Sequence, residues 1–189
     1  MTSEQSRIRR RRWSATRCAA ATVLAAAFTL VGCGTAGQGA PVAPRMMSVS
    51  SVAFSASILP QRYTCHGAGI NPPLDWSGAP TATKSFALVV DDSSAPITPY
   101  IYWLVFDIGP GTTDIQEDSL PTGARQALNS AGTPGYHAPC PAHSHSYRFT
   151  VYALNTWLSQ GNGASLATAL TAIASATIGR GRIVVTGQP

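Results

Sequence analysis

No apolar run in this chain reaches the roughly 20 residues that a membrane-spanning helix needs. The longest, "CAAATVLAAAFTLVG", covers residues 18 to 32. The chain has no G-x-S-x-G elbow and no H-E-x-x-H helix, which removes the commonest serine-hydrolase and zinc-protease readings. Charge is sparse at 11% of residues, and cysteine numbers only four. No internal repeat is present, so solenoid and propeller architectures are not indicated.

What charge there is sits at the front. Arg7, Arg9, Arg10, Arg11, Arg12 and Arg17 precede the apolar run, which ends in Leu30, Val31, Gly32 and Cys33. A basic block, a short apolar run and a small residue before a cysteine resemble a bacterial lipoprotein signal, with Cys33 as the lipidated mature N-terminus. Residues 1–32 are then the signal. Removing them takes six of the 13 basic and one of the eight acidic side chains, leaving seven of each. The excess of +5 therefore belongs to the signal, no basic stripe remains, and nucleic acid is not an expected partner. Because one acyl chain anchors only marginally and no polybasic patch helps, several chains, palmitate included, are expected on Cys33.

Residues 33–46, rich in Gly, Ala and Pro, read as a flexible tether. Residues 47–189 suffice for one domain with one core. Within them only Cys65 and Cys140 remain, an even pair in a chain sent to an oxidising compartment, and a structural disulfide is expected.

The periodic signals are mostly strands: 49–57, 84–90, 100–108, 147–154 and 182–187. In "YRFTVYAL", Tyr147, Phe149, Val151 and Ala153 face one way, with Arg148, Thr150, Tyr152 and Leu154 opposite. "YIYWLVFDI" is apolar on both faces and reads as a covered central strand. One helix is indicated within 163–179, with Leu166, Leu170, Ile173 and Thr177 on one face and Gly179 near its end. Segments 66–82 and 109–146 read as long ordered loops. The fold class is mainly β, a sandwich with one or two short helices. Trp76, Trp103 and Trp157 are expected in its core.

The stretch "PGYHAPCPAHSHSYRFTVYAL" (134–154) gathers His137, Cys140, His143 and His145. Such a cluster could ligate a transition metal, or a free Cys140 or Cys65 could act as a nucleophile beside a histidine. The prolines flanking Cys140, the lack of a nearby carboxylate or second thiol, and the Cys65 pairing all weigh against both. His137 and His143 read as solvated loop residues, and Asp91 as a structural cap on the turn after its strand.

Three stretches in order carry a family resemblance. "YTCHGAGINPPLDWSGAP" (63–80), "FALVVDDSSAPITPYIYWLVFDIGPGTTDI" (86–115) and "GTPGYHAPCPAHSHSYRFTVYAL" (132–154) resemble the motifs of bacterial phosphatidylethanolamine-binding proteins of the Raf-kinase-inhibitor-like type. The second matches D-P-D-A-P followed by H-W. The third matches G-x-x-G-Y-x-G-P-C-P-P followed by H-R-Y. The resemblance implies a β-sandwich and a small surface pocket for phosphate-type anions or phospholipid head groups, with no enzyme activity and no cofactor. Carried over by position, it implies ligand-binding roles for Asp92, Ser94, Pro96, Tyr102, Gly135, Tyr136, His145 and Tyr147. Where the family has Pro and a second Asp, this chain has Ser93 and Ser94. Tyr102 stands for the first pocket histidine, and Ser146 for the arginine of H-R-Y. The expected protein is an envelope-anchored binding protein. Docking of another protein, as an inhibitor or scaffold, is the alternative, and a Cys/His hydrolase is a third reading.

Overall fold

The computed structural model describes residues 43–95 and 97–189. The signal, Cys33, most of the tether and Pro96 lie outside the described residues. The strands are β1 (Arg45–Met46), β2 (Ser48–Ser50), β3 (Leu74–Ser77), β4 (Ser85–Asp92), β5 (Ile101–Ile108), β6 (Asp114–Ile115), β7 (Arg125–Gln126), β8 (His145–Leu154) and β9 (Thr177–Gly187), with helix α1 (Leu166–Ala176) before the last. A large sheet has the order β1-β9-β8-β4-β5-β7, and a small one β2-β3-β6. Only β1 and β9 run parallel among these pairs. The mainly β sandwich is therefore the observed class.

The large sheet is apolar on both faces, and alternation along its strands sorts side chains between two cores. Phe86, Leu88 and Val90 of β4, with Tyr147, Phe149, Val151 and Ala153 of β8, meet Leu74 and Trp76 from the small sheet. The intervening Ala87, Val89 and Leu154 pack instead with Ala169 and Ile173 of α1. This is the side-chain period of two acting on strands covered from both sides. Burying one large aliphatic or aromatic side chain is worth about 1.5–3 kcal/mol.

Two irregularities in β5 re-aim its side chains. Val90 pairs with Trp103 and Asp91 with Ile101, which leaves Tyr102 as the extra residue of a bulge. Tyr102 and Trp103 therefore both pack on the first core. A second register shift sits at Asp107, whose φ is +56°. Asp tolerates this left-handed backbone better than most residues. Its buried carboxylate accepts the Leu158 N–H at 2.8 Å and lies 3.5 Å from the Arg125 guanidinium.

Several expectations need correction. Arg45 and Met46, assigned to the tether, pair with Gly179 and Arg180. The strand expected over 49–57 stops at Ser50, and a 3₁₀ turn covers Ser55–Ser57. The two long loops contain β3, β6 and β7; β6 and β7 are too short to show a period, and β3 alternates over only four residues. Gly179 does not end the helix: β9 begins at Thr177, directly after α1. Ser165, which the sequence reading did not single out, caps the helix start by accepting the Thr168 N–H. Trp157 is 52% exposed, because Leu158, tied to Asp107, takes the core position beside it.

Candidate functional site

The end of β4 and the start of β8 lie side by side, with Asp91 opposite Arg148 and Asp92 opposite Tyr147. Alternation then splits the polar residues between the two faces. Asp92, His145 and Tyr147 share the first face with Tyr102, brought there by its bulge. Asp91 and Arg148 share the other.

On the first face, the His145 Nδ1 lies 2.7 Å from Asp92 Oδ2. Asp92 is 5% exposed and its second oxygen, Oδ1, accepts the Ser94 N–H at 2.7 Å. With both carboxylate oxygens engaged, the ring is fixed and its Nε2 is the nitrogen left for a ligand. The His145 ring stacks on Tyr147 at 17°, and Tyr147 meets Tyr102 edge-on. Tyr147 itself is buried under the site. A Cβ at Gly187, across the ladder from His145, would fall 2.5 Å from the Tyr147 ring, so only glycine lets that ring lie flat on β9.

The turn after β4 is tied to β8 by backbone. Ser93 donates through its N–H and its hydroxyl to the Ser146 carbonyl, and the Ser146 N–H donates to Ser94 Oγ. Ser94 thus holds the turn in place, while its own O–H can still donate outward. Asp91 does not cap this turn, as the sequence suggested. It accepts from Arg148 Nε at 2.9 Å and from Nη2, across the sheet and on the opposite face.

The glycine-containing loop reaches the same corner. The His137 N–H donates to the Tyr102 carbonyl at 2.9 Å. The His137 ring lies over Tyr102 at 19°, with Tyr100 nearby. The sequence reading left His137 as a solvated loop residue. It is exposed, but it packs on the very tyrosine that stands where the family pattern has a histidine. Only the fold brings positions 102 and 137 together. Gly135 has φ of +108°, and its carbonyl accepts from Asn129. The Tyr136 hydroxyl points inward and donates to the Tyr63 carbonyl at 2.8 Å, while its ring meets Trp103 edge-on. Tyr136 therefore braces the loop rather than offering a hydroxyl to a ligand. His143 is exposed and has no hydrogen-bond partner among the described residues.

Cys65 and Cys140 are joined by a disulfide, with Cα atoms 5.2 Å apart. The Cys65 N–H also donates to the Pro139 carbonyl at 2.9 Å. The thiols are consumed, and among the described residues no three His, Cys, Asp or Glu side chains gather as a metal would require. A cavity of about 280 Å³ lies behind Tyr136, lined by Asn71, Trp103, Asp118 and Gln126. Asp92 and His145 do not line it. They form an open corner rather than a wall of this cavity.

Four tyrosines around this end resist ionisation. Burial, followed by neighbouring tyrosines or the Asp92 charge, raises the pKa of Tyr102, Tyr136 and Tyr147. For Tyr63, burial and then a hydrogen bond to Glu117 push it up to about 12. A raised folded-state pKa favours the protonated form, so this contribution is fully present below about pH 10. It is lost as pH rises toward about 12. Alkaline unfolding is accordingly expected to be cooperative with tyrosine ionisation, and Tyr63→Phe should blunt that pH dependence. Tyrosinate difference absorbance read alongside circular dichroism tests this. Ionisation of all tyrosines near pH 10 in a chain that stays folded would contradict it.

Comparison with known proteins agrees with this architecture. The family model described as phosphatidylethanolamine-binding protein matches residues 49–188. A UPF0098 protein of Methanothermobacter thermautotrophicus is 40% identical over 132 residues, covering 67% of this chain and 87% of that protein. A Mycobacterium tuberculosis protein named as a candidate lipoprotein, LppC, is 37% identical over 150 residues, covering 78% of this chain and 74% of its own. The crystal structure of Escherichia coli YbcL, described as a member of the mammalian PEBP family, superposes with a TM-score of 0.70 at 29% identity. It covers 76% of this chain and 98% of YbcL.

Proposed function

The chain belongs to the phosphatidylethanolamine-binding protein family, and from that premise we propose a non-enzymatic, envelope-anchored binding protein whose ligand is a phosphate-type anion or phospholipid head group held at the Asp92–His145 corner. The observation that carries the reading is the 2.7 Å His145–Asp92 contact. With Nδ1 turned to the carboxylate, Nε2 carries a proton only in the imidazolium. Protonation therefore turns a lone pair that repels an anion into a charged donor that binds it. With the imidazolium the pair is neutral overall; with neutral imidazole the corner keeps only the Asp92 charge. Ser94 Oγ, Tyr102 and the 135–137 loop surround the corner and would supply the remaining contacts; Pro96, which the resemblance also implies, lies outside the described residues. Neither a metal nor a cofactor enters this reading.

Anion affinity is expected to be stronger at about pH 5.5 than at about pH 8.5, because only the imidazolium form of a histidine carries a charge and a second donor. His145→Ala should weaken binding about ten- to a hundredfold at the lower pH, the scale of a lost hydrogen bond to a charged group, roughly 1.5–3 kcal/mol. It should also flatten the pH dependence, whereas His143→Ala should change neither. Calorimetric titration with inorganic phosphate and with phosphoethanolamine measures this. Equal loss in the two variants would move the site away from β8. No binding at either pH would turn the reading toward protein docking, with the corner as a contact surface.

Anchoring rests on the sequence before residue 34 and on the LppC relative's name. Among the described residues no helix is long and apolar enough to cross a membrane. Cys33→Ala should release the protein into the soluble fraction or block its processing. Persistence of a processed variant in the membrane fraction would reject lipidation at Cys33.

A further inference from the structure

The opposite face of the large sheet carries a second cavity, of about 240 Å³, at the same end of the molecule. Its floor is Val89 of β4, Ile101 of β5 and Tyr152 of β8, and one wall is Leu166 and Leu170 of α1. Both leucines are half-buried, because α1 seats itself on the sheet through Ala169, Ile173 and Ala176. The first turns of the helix thus overhang the sheet without closing on it.

The charged groups of this cavity all come from three neighbouring strands, and Thr98 adds a hydroxyl from the β4–β5 connection. Asp91 and Arg148 face each other in the ladder, and Arg182 sits opposite Thr150, one step along. The Asp91 carboxylate is engaged by Arg148. Arg182 donates through Nε to Thr150 Oγ1 at 2.9 Å, which fixes its stem. Its two amino groups have no hydrogen-bond partner, and it forms no ion pair, among the described residues. The two arginines and one aspartate give the cavity a net charge of +1 over an apolar floor.

We infer that this cavity binds a small organic monoanion, an aromatic or short branched carboxylate whose apolar body lies between Ile101, Tyr152 and Leu170 and whose carboxylate meets Arg182. The charge decides the class. A monocarboxylate neutralises the site, while a phosphate dianion would leave an uncompensated negative charge beside Asp91. Guanidinium forks match carboxylates in geometry as well as charge. The size decides the body: ligand pockets for drug-sized molecules span about 300–1,000 Å³, so this one suits a single ring or branched chain and not a lipid acyl chain. The site is separate from the Asp92–His145 corner, because the sheet itself lies between them.

Titration of the purified full chain with benzoate, benzyl alcohol and inorganic phosphate tests the inference. Saturable benzoate binding is expected in the millimolar range or tighter. Benzyl alcohol, similar in shape but uncharged, should bind at least about tenfold more weakly. Arg182→Gln, at an exposed position, should lose about tenfold for benzoate with an unchanged unfolding midpoint. Leu170→Trp should abolish binding by filling the space. His145→Ala should leave benzoate affinity unchanged, even if it removes phosphate binding, so failure here and failure of the corner reading are separable. Equal affinity for benzoate and benzyl alcohol, indifference to Arg182→Gln, loss of benzoate in His145→Ala, or absence of saturation would each overturn the assignment.

Discussion

Replacing Cys65 and Cys140 together by serine should lower the stability of the domain by roughly 4 kcal/mol, the chain-entropy value for a long closed loop. The bridge joins residues 75 apart, so the unlinked denatured chain gains much conformational freedom. The folded state loses less, since the Cys65 N–H to Pro139 carbonyl bond can persist. Both cysteines are solvent-exposed, so serine at either position leaves no buried polar group unpaired. The same double variant loosens the 63–69 segment from the 135–140 loop, which carries Tyr136 and His137 to the site. Denaturant unfolding of both proteins, with intact-mass analysis to verify the bridge in the parent, gives the answer. An unchanged midpoint would mean that the denatured chain gains nothing from the cut. Two alkylatable thiols in the unreduced parent would remove the bridge altogether.

Tyr147→Ala should cost about 3–5 kcal/mol, the range for emptying a buried aromatic position. Tyr147 is 1% exposed, packs in the core between the sheets, covers Gly187, and supports the rings of both Tyr102 and His145. Gly187, against which the ring lies, has no side chain to move into the cavity left behind. Phosphate affinity should fall together with stability, since His145 loses the surface that orients it. Tyr147→Phe keeps the ring and should retain most of the stability. That pair of variants separates ring packing from the hydroxyl. A loss below about 1 kcal/mol in Tyr147→Ala would show that the neighbouring rings collapse into the space.

The two effects differ in how far they could be foreseen. The cysteine pair follows from counting: once the signal and Cys33 are set aside, two remain. The placement of Tyr147 in the core follows from its step with Phe149, Val151 and Ala153. Its second role, under the site, depends on what β9 and β5 bring alongside.

The sequence by itself determined whatever depends on near neighbours along the chain. Alternation over 147–154 and the doubly apolar run over 100–108 are local patterns, and the buried faces they predicted are present, although the one core expected from chain length is two, one on each side of the large sheet. The helix at 166–176 was legible from its spacing, and the family from three ordered motifs. Tertiary structure decided whatever depends on register between distant segments. Residues 91 and 92 are adjacent and chemically identical, yet cross-strand pairing sends Asp92 to His145 and Asp91 to Arg148 on opposite faces. A bulge that no local period announces moves Tyr102 beside Trp103, and a loop contact lays His137 over it. Strands β6 and β7 are two residues long, below the length at which alternation can be read, and the four residues of β3 only just reach it. Their hydrogen bonds come from partners far away in sequence, and so does the corner they help to frame.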